Sequence, residues 1–130
     1  MRALLWVFVA AGLGLAVRGL RPPAPLDQDA PPEVFSAARA FPIVEQLAQA
    51  PRVRPAPHHA ASRAYLADRL RELGFDPVEQ EAVVDGHPVT NLLARRPGTG
   101  AQAGAVLLCA HYDSVRAGPG AGDDALGCAV

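Results

Sequence analysis

The sequence predicts an α/β fold, a layered α/β/α sandwich built on a mixed sheet. Three observations point to it. Two runs with helical periodicity come first, two strand-like runs then meet at an Asp-Gly turn, and a short, wholly apolar run follows that ends in polar residues and a glycine-rich loop. The order is helix, helix, strand, strand, strand, helix start, and the first strand pair is an antiparallel hairpin. At 130 residues the chain holds one domain's worth at most. A central buried strand needs a neighbour on its far side, reached by a crossover of ~12 or more residues. The expectation is therefore a sandwich truncated after its third strand.

Residues 1–21 stand apart. Arg2 precedes an unbroken non-polar run, Ala3 to Val17, which Arg18 and Arg21 close. The run is short for a bilayer span, which needs ~20 residues, and suits the core of a secretory signal. Arg18 sits where a cleavage site wants small residues, so an uncleaved anchor through residues 3–20, its arginine reaching up to the interface, is the other reading. Both place the rest of the chain outside the cytoplasm, on the periplasmic or extracellular side. Residues 22–32 hold Pro22, Pro23, Pro25, Pro31 and Pro32. They read as a stiff spacer that does not pack.

Residues 33–130 form the domain proper. Glu33 to Ala50 places Val34, Ala37, Ala38, Phe41, Val44, Leu47 and Ala48 at helical spacing, with Pro42 expected to kink or split the helix. Residues 51–59 form a proline-broken loop. A second helix spans 60–73, with Leu66, Leu70 and Leu73 as its apolar stripe and Gly74 as a left-handed cap. Strands over 77–84 and 88–95 flank Asp85-Gly86, the dipeptide of a type I′ turn. Ala105 to Ala110 is continuously apolar, as in a strand buried on both faces. A glycine loop, 117–122, leads through Asp123-Asp124 to a helix start at 125–130.

Composition excludes some functions. The net charge is -1, and the twelve basic residues, all arginines, are scattered among acidic ones. No basic field exists to gather phosphates, so no nucleic-acid partner is expected. Cys109 and Cys128 lie in apolar surroundings and read as small buried hydrophobes, since a disulfide cannot be derived from two cysteines in different elements.

In open α/β sheets, functional groups gather at the carboxyl ends of strands. Here that point carries His111, Asp113 and Ser114, with Asp123 and Asp124 brought back by the glycine loop. Residues two apart on a strand share a face, so Asp113 can hold one ring nitrogen of His111 and leave the other for a metal. Asp123 can offer an anionic oxygen to the same ion. The residues alone also allow a surface histidine beside solvated carboxylates. His58, His59 and His87 read as ordinary loop and hairpin histidines. Ser114 has no base placed for it and reads as a partner of loop backbone.

The segments His111-Tyr112-Asp113-Ser114-Val115 and Gly118-Pro119-Gly120-Ala121-Gly122-Asp123-Asp124-Ala125-Leu126-Gly127 resemble the co-catalytic zinc aminopeptidase family. That family includes bacterial leucyl-type aminopeptidases and, more remotely, glutamate carboxypeptidases and glutaminyl cyclases. Leu70-Arg71-Glu72-Leu73-Gly74-Phe75 and Thr90-Asn91-Leu92-Leu93-Ala94-Arg95 are similar too, and the leader, spacer and first helix resemble the family's membrane-anchored branch. Two departures are the absence of a Gly-Ser pair in 51–59 and Leu126 where a small or polar residue is common.

The resemblance implies a zinc exopeptidase fold and a pair of zinc ions that hydrolyse the N-terminal residue of a peptide substrate. By position, His111 would bind one zinc and Asp123 would bridge both. Asp113 would serve the catalytic site by orienting His111, and Asp124 would set the loop in support. The resemblance further implies a cis bond between Asp123 and Asp124. The general-base glutamate and the remaining ligands of the family have no counterpart in these 130 residues, so the chain as it stands is expected to be inactive. Two other readings use the same motifs: a glutaminyl-cyclase-like acyltransferase, which needs one zinc, and a non-catalytic ectodomain that serves as a binding module, as in transferrin receptors. Metal count and a downstream acidic pair would separate the first of these from the peptidase.

Overall fold

The apolar run near the amino terminus contains no proline, and in a computed structural model of the chain it forms α1, Arg2–Gly19. The structure describes residues 2–100 and 104–130, so Met1 of the expected leader lies outside them. The side chains of Trp6, Phe8, Leu13 and Leu15 around α1 are exposed. Among the described residues, no helix is long and apolar enough to cross a membrane.

The spacer corrects one expectation. Its second half, though mostly exposed, is tied down, because Arg39 donates to three of its carbonyls, Gln28 (3.1 Å), Ala30 (2.6 Å) and Pro31 (3.3 Å), and to that of Val34 (2.5 Å) just beyond. Ser36 adds a hydroxyl bond to the Asp27 carbonyl at 2.7 Å. Proline-rich backbone lacks donors but keeps every carbonyl, and a guanidinium supplies five N–H groups.

The same Ser36 sets where the next helix begins. Its Oγ accepts from the Arg39 N–H at 3.2 Å, so α2 spans Ala37–Leu47 and starts later than the periodicity suggested. Pro42 lies inside α2 without ending it. Beyond it, α3 spans Pro57–Glu72. It starts earlier than expected because Pro57 takes the first-turn position that proline favours, which puts His58 and His59 in the helix instead of a loop. The buried side of α3 runs along His59, Ser62 and Ala67, while Leu73 of the expected stripe is 63% exposed. At its end Gly74 has φ +82, with Gly74 N–H on the Arg71 carbonyl (2.9 Å) and Phe75 N–H on the Leu70 carbonyl (3.0 Å). That is a complete Schellman cap.

The hairpin forms as the Asp-Gly turn demands. β1 (Val78–Val84) pairs antiparallel with β2 (His87–Leu93), Val84 facing His87, and positive φ at Asp85 (51) and Gly86 (77) gives the type I′ turn. The expected third strand is a correction. Among the described residues the sheet has two strands only, and the stretch expected as a buried strand, 105–110, forms no ladder. Val106, Leu107 and Leu108 are 90%, 83% and 86% exposed. A strand is stabilised by its neighbours, and here the Tyr112 hydroxyl, just past this segment, bonds the Thr90 carbonyl of β2 at 2.6 Å in place of a ladder. An open groove of about 760 Å³ separates them. The result is an α/β chain of helices and one antiparallel hairpin.

Packing concentrates elsewhere. Leu47 at the end of α2 and Ala125 are fully buried, and Ala40 nearly so. They meet where α2 packs against the turn at Ala121–Ala125 and the short α4, Leu126–Ala129. This small core lies directly beneath the residues singled out above.

Candidate metal centre

Two backbone segments build the site. The first, 111–114, leaves the extended stretch; the second is the glycine loop and the wide turn Ala121–Ala125, closed by the Ala125 N–H on the Gly120 carbonyl at 3.1 Å. Within that turn Asp123 (φ -134, ψ 89) and Asp124 (φ -133, ψ 39) leave helical geometry, and the bond between them is cis.

The four predicted residues converge. His111 Nε2 lies 2.8 Å from Asp123 Oδ1, and Nδ1 lies 3.2 Å from Asp113 Oδ1 and 3.2 Å from the Asp113 carbonyl. Asp124 Oδ2 accepts from the His111 backbone N–H (3.3 Å), and its Oδ1 accepts from Gly127 N–H (3.0 Å). One carboxylate thus couples the two segments and satisfies an amide in the first turn of α4. The expected His-x-Asp pairing holds although 111–114 belongs to no sheet.

Electrostatics follows from that arrangement. Both ring nitrogens of His111 face carboxylate oxygens, which a doubly protonated ring satisfies. Its pKa is raised, chiefly by the bond to Asp123. Arg54 stands 3.5 Å from the other oxygen of Asp113, an exposed pair of small energetic weight. His59 is buried and stacks on Tyr112 with ring centroids 4.8 Å apart, and burial lowers its pKa. Cys128 donates to the His111 carbonyl at 3.5 Å, and burial pushes its thiol up to about 11. Both cysteines are free, and Cys109 is exposed rather than buried, because its segment joins no sheet.

Sequence reasoning missed Arg52, which it placed in a proline-broken loop. Arg52 is fully buried and donates to the carbonyls of Leu47 (2.9 Å), Tyr112 (2.7 Å), Pro119 (2.5 Å) and Gly120 (3.0 Å). Its backbone also pairs with Ser114: Arg52 N–H on Ser114 Oγ (2.8 Å) and Ser114 N–H on the Arg52 carbonyl (3.2 Å). Ser114 Oγ donates in turn to the Gly118 carbonyl at 3.1 Å, the backbone role expected of it. No local pattern marks such an arginine, because three of its four partners are carbonyls 60 or more positions away.

Zinc takes imidazole nitrogen and carboxylate oxygen, three or four protein ligands at a time. His111 Nε2 and Asp123 Oδ1 are donors of that kind, already face to face, and Asp113 holds the far nitrogen as a zinc-binding histidine requires. Among the described residues, no group of three or more His, Cys, Asp or Glu is arranged to hold a metal ion. The pair therefore fits as part of a zinc site.

A histidine steadied by an aspartate, facing a second aspartate across a glycine loop, supplies donors of the kind a zinc site uses. Residues 91–130 match peptidase family M28, a co-catalytic zinc peptidase family, and this stretch holds the four predicted site residues. Succinyl-diaminopimelate desuccinylase of Delftia acidovorans (strain DSM 14801 / SPH-1) is 37% identical over 82 residues, covering 63% of this chain and 21% of that protein. The chain thus spans about a fifth of the length of the curated relative it matches. No solved structure matches it.

Proposed function

We propose that the chain belongs to a zinc-dependent exopeptidase, an aminopeptidase that removes N-terminal residues from peptides with two metal ions. The observation that carries this reading is the approach of His111 Nε2 to Asp123 Oδ1 at 2.8 Å, with Asp113 on the opposite nitrogen. His111 and Asp123 would hold zinc, which when bound polarises the scissile carbonyl and makes a water nucleophilic near neutral pH. Asp113 fixes the His111 ring and its tautomer, so that Nε2 presents its lone pair once its proton has left. Asp124 keeps the backbone of His111 in register with the turn that carries Asp123.

Residues 33–130 then form the first part of a larger α/β/α sandwich. The exposure of Val106, Leu107 and Leu108, and of Val78, Val83 and Val84 on the hairpin, supports this, because apolar strand faces are stable only when covered. Residues 1–21 act as an export signal or anchor, a reading supported by the apolar surface of α1. Residues 22–32 are the spacer, pinned at one end by Arg39.

The name of the 37%-identical relative favours a second reading, hydrolysis of an N-succinyl amide. The test is to purify the full-length gene product with zinc and assay it on leucine p-nitroanilide and on N-succinyl-diaminopimelate. Hydrolysis of the first, abolished by chelation and restored by zinc, is the expected result. Turnover of the second alone would replace the aminopeptidase reading, and turnover of neither by a zinc-loaded protein would favour a binding module.

A further inference from the structure

The cation at the centre of this half-site is not on the metal side. Arg52 lies beneath the site, fully buried, with its side-chain bonds going to backbone carbonyls. Its four side-chain bonds reach the end of α2, the backbone between His111 and Asp113, and two successive carbonyls of the glycine loop. A buried charge left without partners is strongly unfavourable, so the four carbonyls must hold their places around it. Gly120 belongs to the same arrangement. Its φ is +65, and a Cβ there would run into the Asp123 carbonyl and come within 2.8 Å of Ser114 Cβ and 3.2 Å of Arg52 Nη2.

We propose that Arg52 is the positioning residue of the metal centre: its guanidinium fork fixes the distance between the His111 backbone and the loop that carries Asp123. This rests on the reading of His111 and Asp123 as zinc ligands, and nothing in the zinc chemistry itself calls for Arg52. The geometry demands the fork. A lysine has one nitrogen and three donors, and cannot reach the Leu47, Tyr112 and loop carbonyls in one plane.

The experiment compares wild type, Arg52→Met and Arg52→Lys in the full chain, with two readouts. Amide hydrogen exchange at Ser114, Gly118 and Ala125 reports the site backbone, and exchange at Gly74 and Phe75 reports the remote α3 cap. Cobalt(II) titration, followed by visible absorption, reports the metal pair. The expected result is exchange at least ~10-fold faster at the site amides in both variants, cobalt binding weakened ~10–100-fold, and an unchanged cap. Wild-type exchange and cobalt affinity in both variants would overturn the proposal, and so would a loosened loop with undiminished cobalt affinity. Should Arg52→Met lose its cap protection as well, Arg52→Lys decides. A folded lysine variant with weakened cobalt binding supports positioning; one with wild-type binding, or one that also unfolds, contradicts it. Failure of wild type to bind cobalt would sink the zinc reading alone, since loop exchange still tests the role of Arg52 in placing the backbone.

Discussion

The two histidines near the site have opposite environments, and pH should separate them. Burial lowers the His59 pKa below 6.5, while Asp123 and Asp113 raise that of His111 above it. As pH falls through 6.5 the unfolded chain protonates at position 59 before the folded one does, so His59 withdraws stability on acidification. His111 acts the other way: its contribution is complete below 6.5 and is lost as pH rises through its raised value. NMR titration of the metal-free protein should show one ring below 6.5 and one above, and Asp123→Asn should bring the second down. Two coincident titrations would contradict both assignments.

Cys128 offers an independent check at the same scale. With its thiol raised to about 11, it should resist iodoacetamide at pH 8 in the folded protein. Exposed Cys109 should be alkylated first, as mass spectrometry would show. Equal labelling would mean that the Cys128 thiol is not buried as described. Replacing Asp113 by Asn leaves the shape but weakens the hold on the ring, and should lower zinc affinity ~10–100-fold.

Caps and turns govern the elements. Ser36→Ala removes the α2 cap and the tie to the spacer, and should cost about 1–2 kcal/mol in urea unfolding. Gly74→Ala forces a side chain into φ +82 and should cost about 1–2 kcal/mol, with nothing nearby to clash. Gly120→Ala differs in kind. It meets backbone as well as an unfavourable φ, so site geometry and zinc binding should suffer more than overall stability does. At Gly127 an added Cβ would instead strike the Asp124 carboxylate, a side chain.

What was legible in the sequence tracks how local the cause is. The Asp85-Gly86 turn and the Gly74 cap depend on neighbours within a few residues, and both formed where expected. The helix starts shifted because Ser36 and Pro57 are stronger signals than apolar periodicity. The His111, Asp113, Asp123 and Asp124 cluster was found through motif resemblance, and local backbone brings it together even without a sheet. Three features were not legible: the Arg39 tie, the Arg52 fork and the unpaired state of 105–110. The first is decided by backbone carbonyls in a proline-broken stretch, the second mostly by carbonyls distant in sequence, and the third by the lack of a neighbouring strand; apolar periodicity registers none of these.

At the scale of the whole molecule, burial and exposure divide the chain. Order is concentrated where α2, Arg52 and the 111–129 segments meet, and apolar surface is left bare on α1, the hairpin and 106–108. Zinc binding should link to pH at this scale, because the metal must displace the proton held between His111 and Asp123. Affinity should therefore rise with pH through the His111 titration and level off above it.

The most direct test is zinc affinity, measured by competition with a chromophoric chelator, for wild type, His111→Ala, Asp123→Ala and, as a control, His87→Ala. If His111 and Asp123 are zinc ligands, each of their substitutions weakens binding at least ~10-fold, and His87→Ala leaves it unchanged. Zinc held equally well by all four proteins would show that the metal, if the chain takes one, is bound elsewhere.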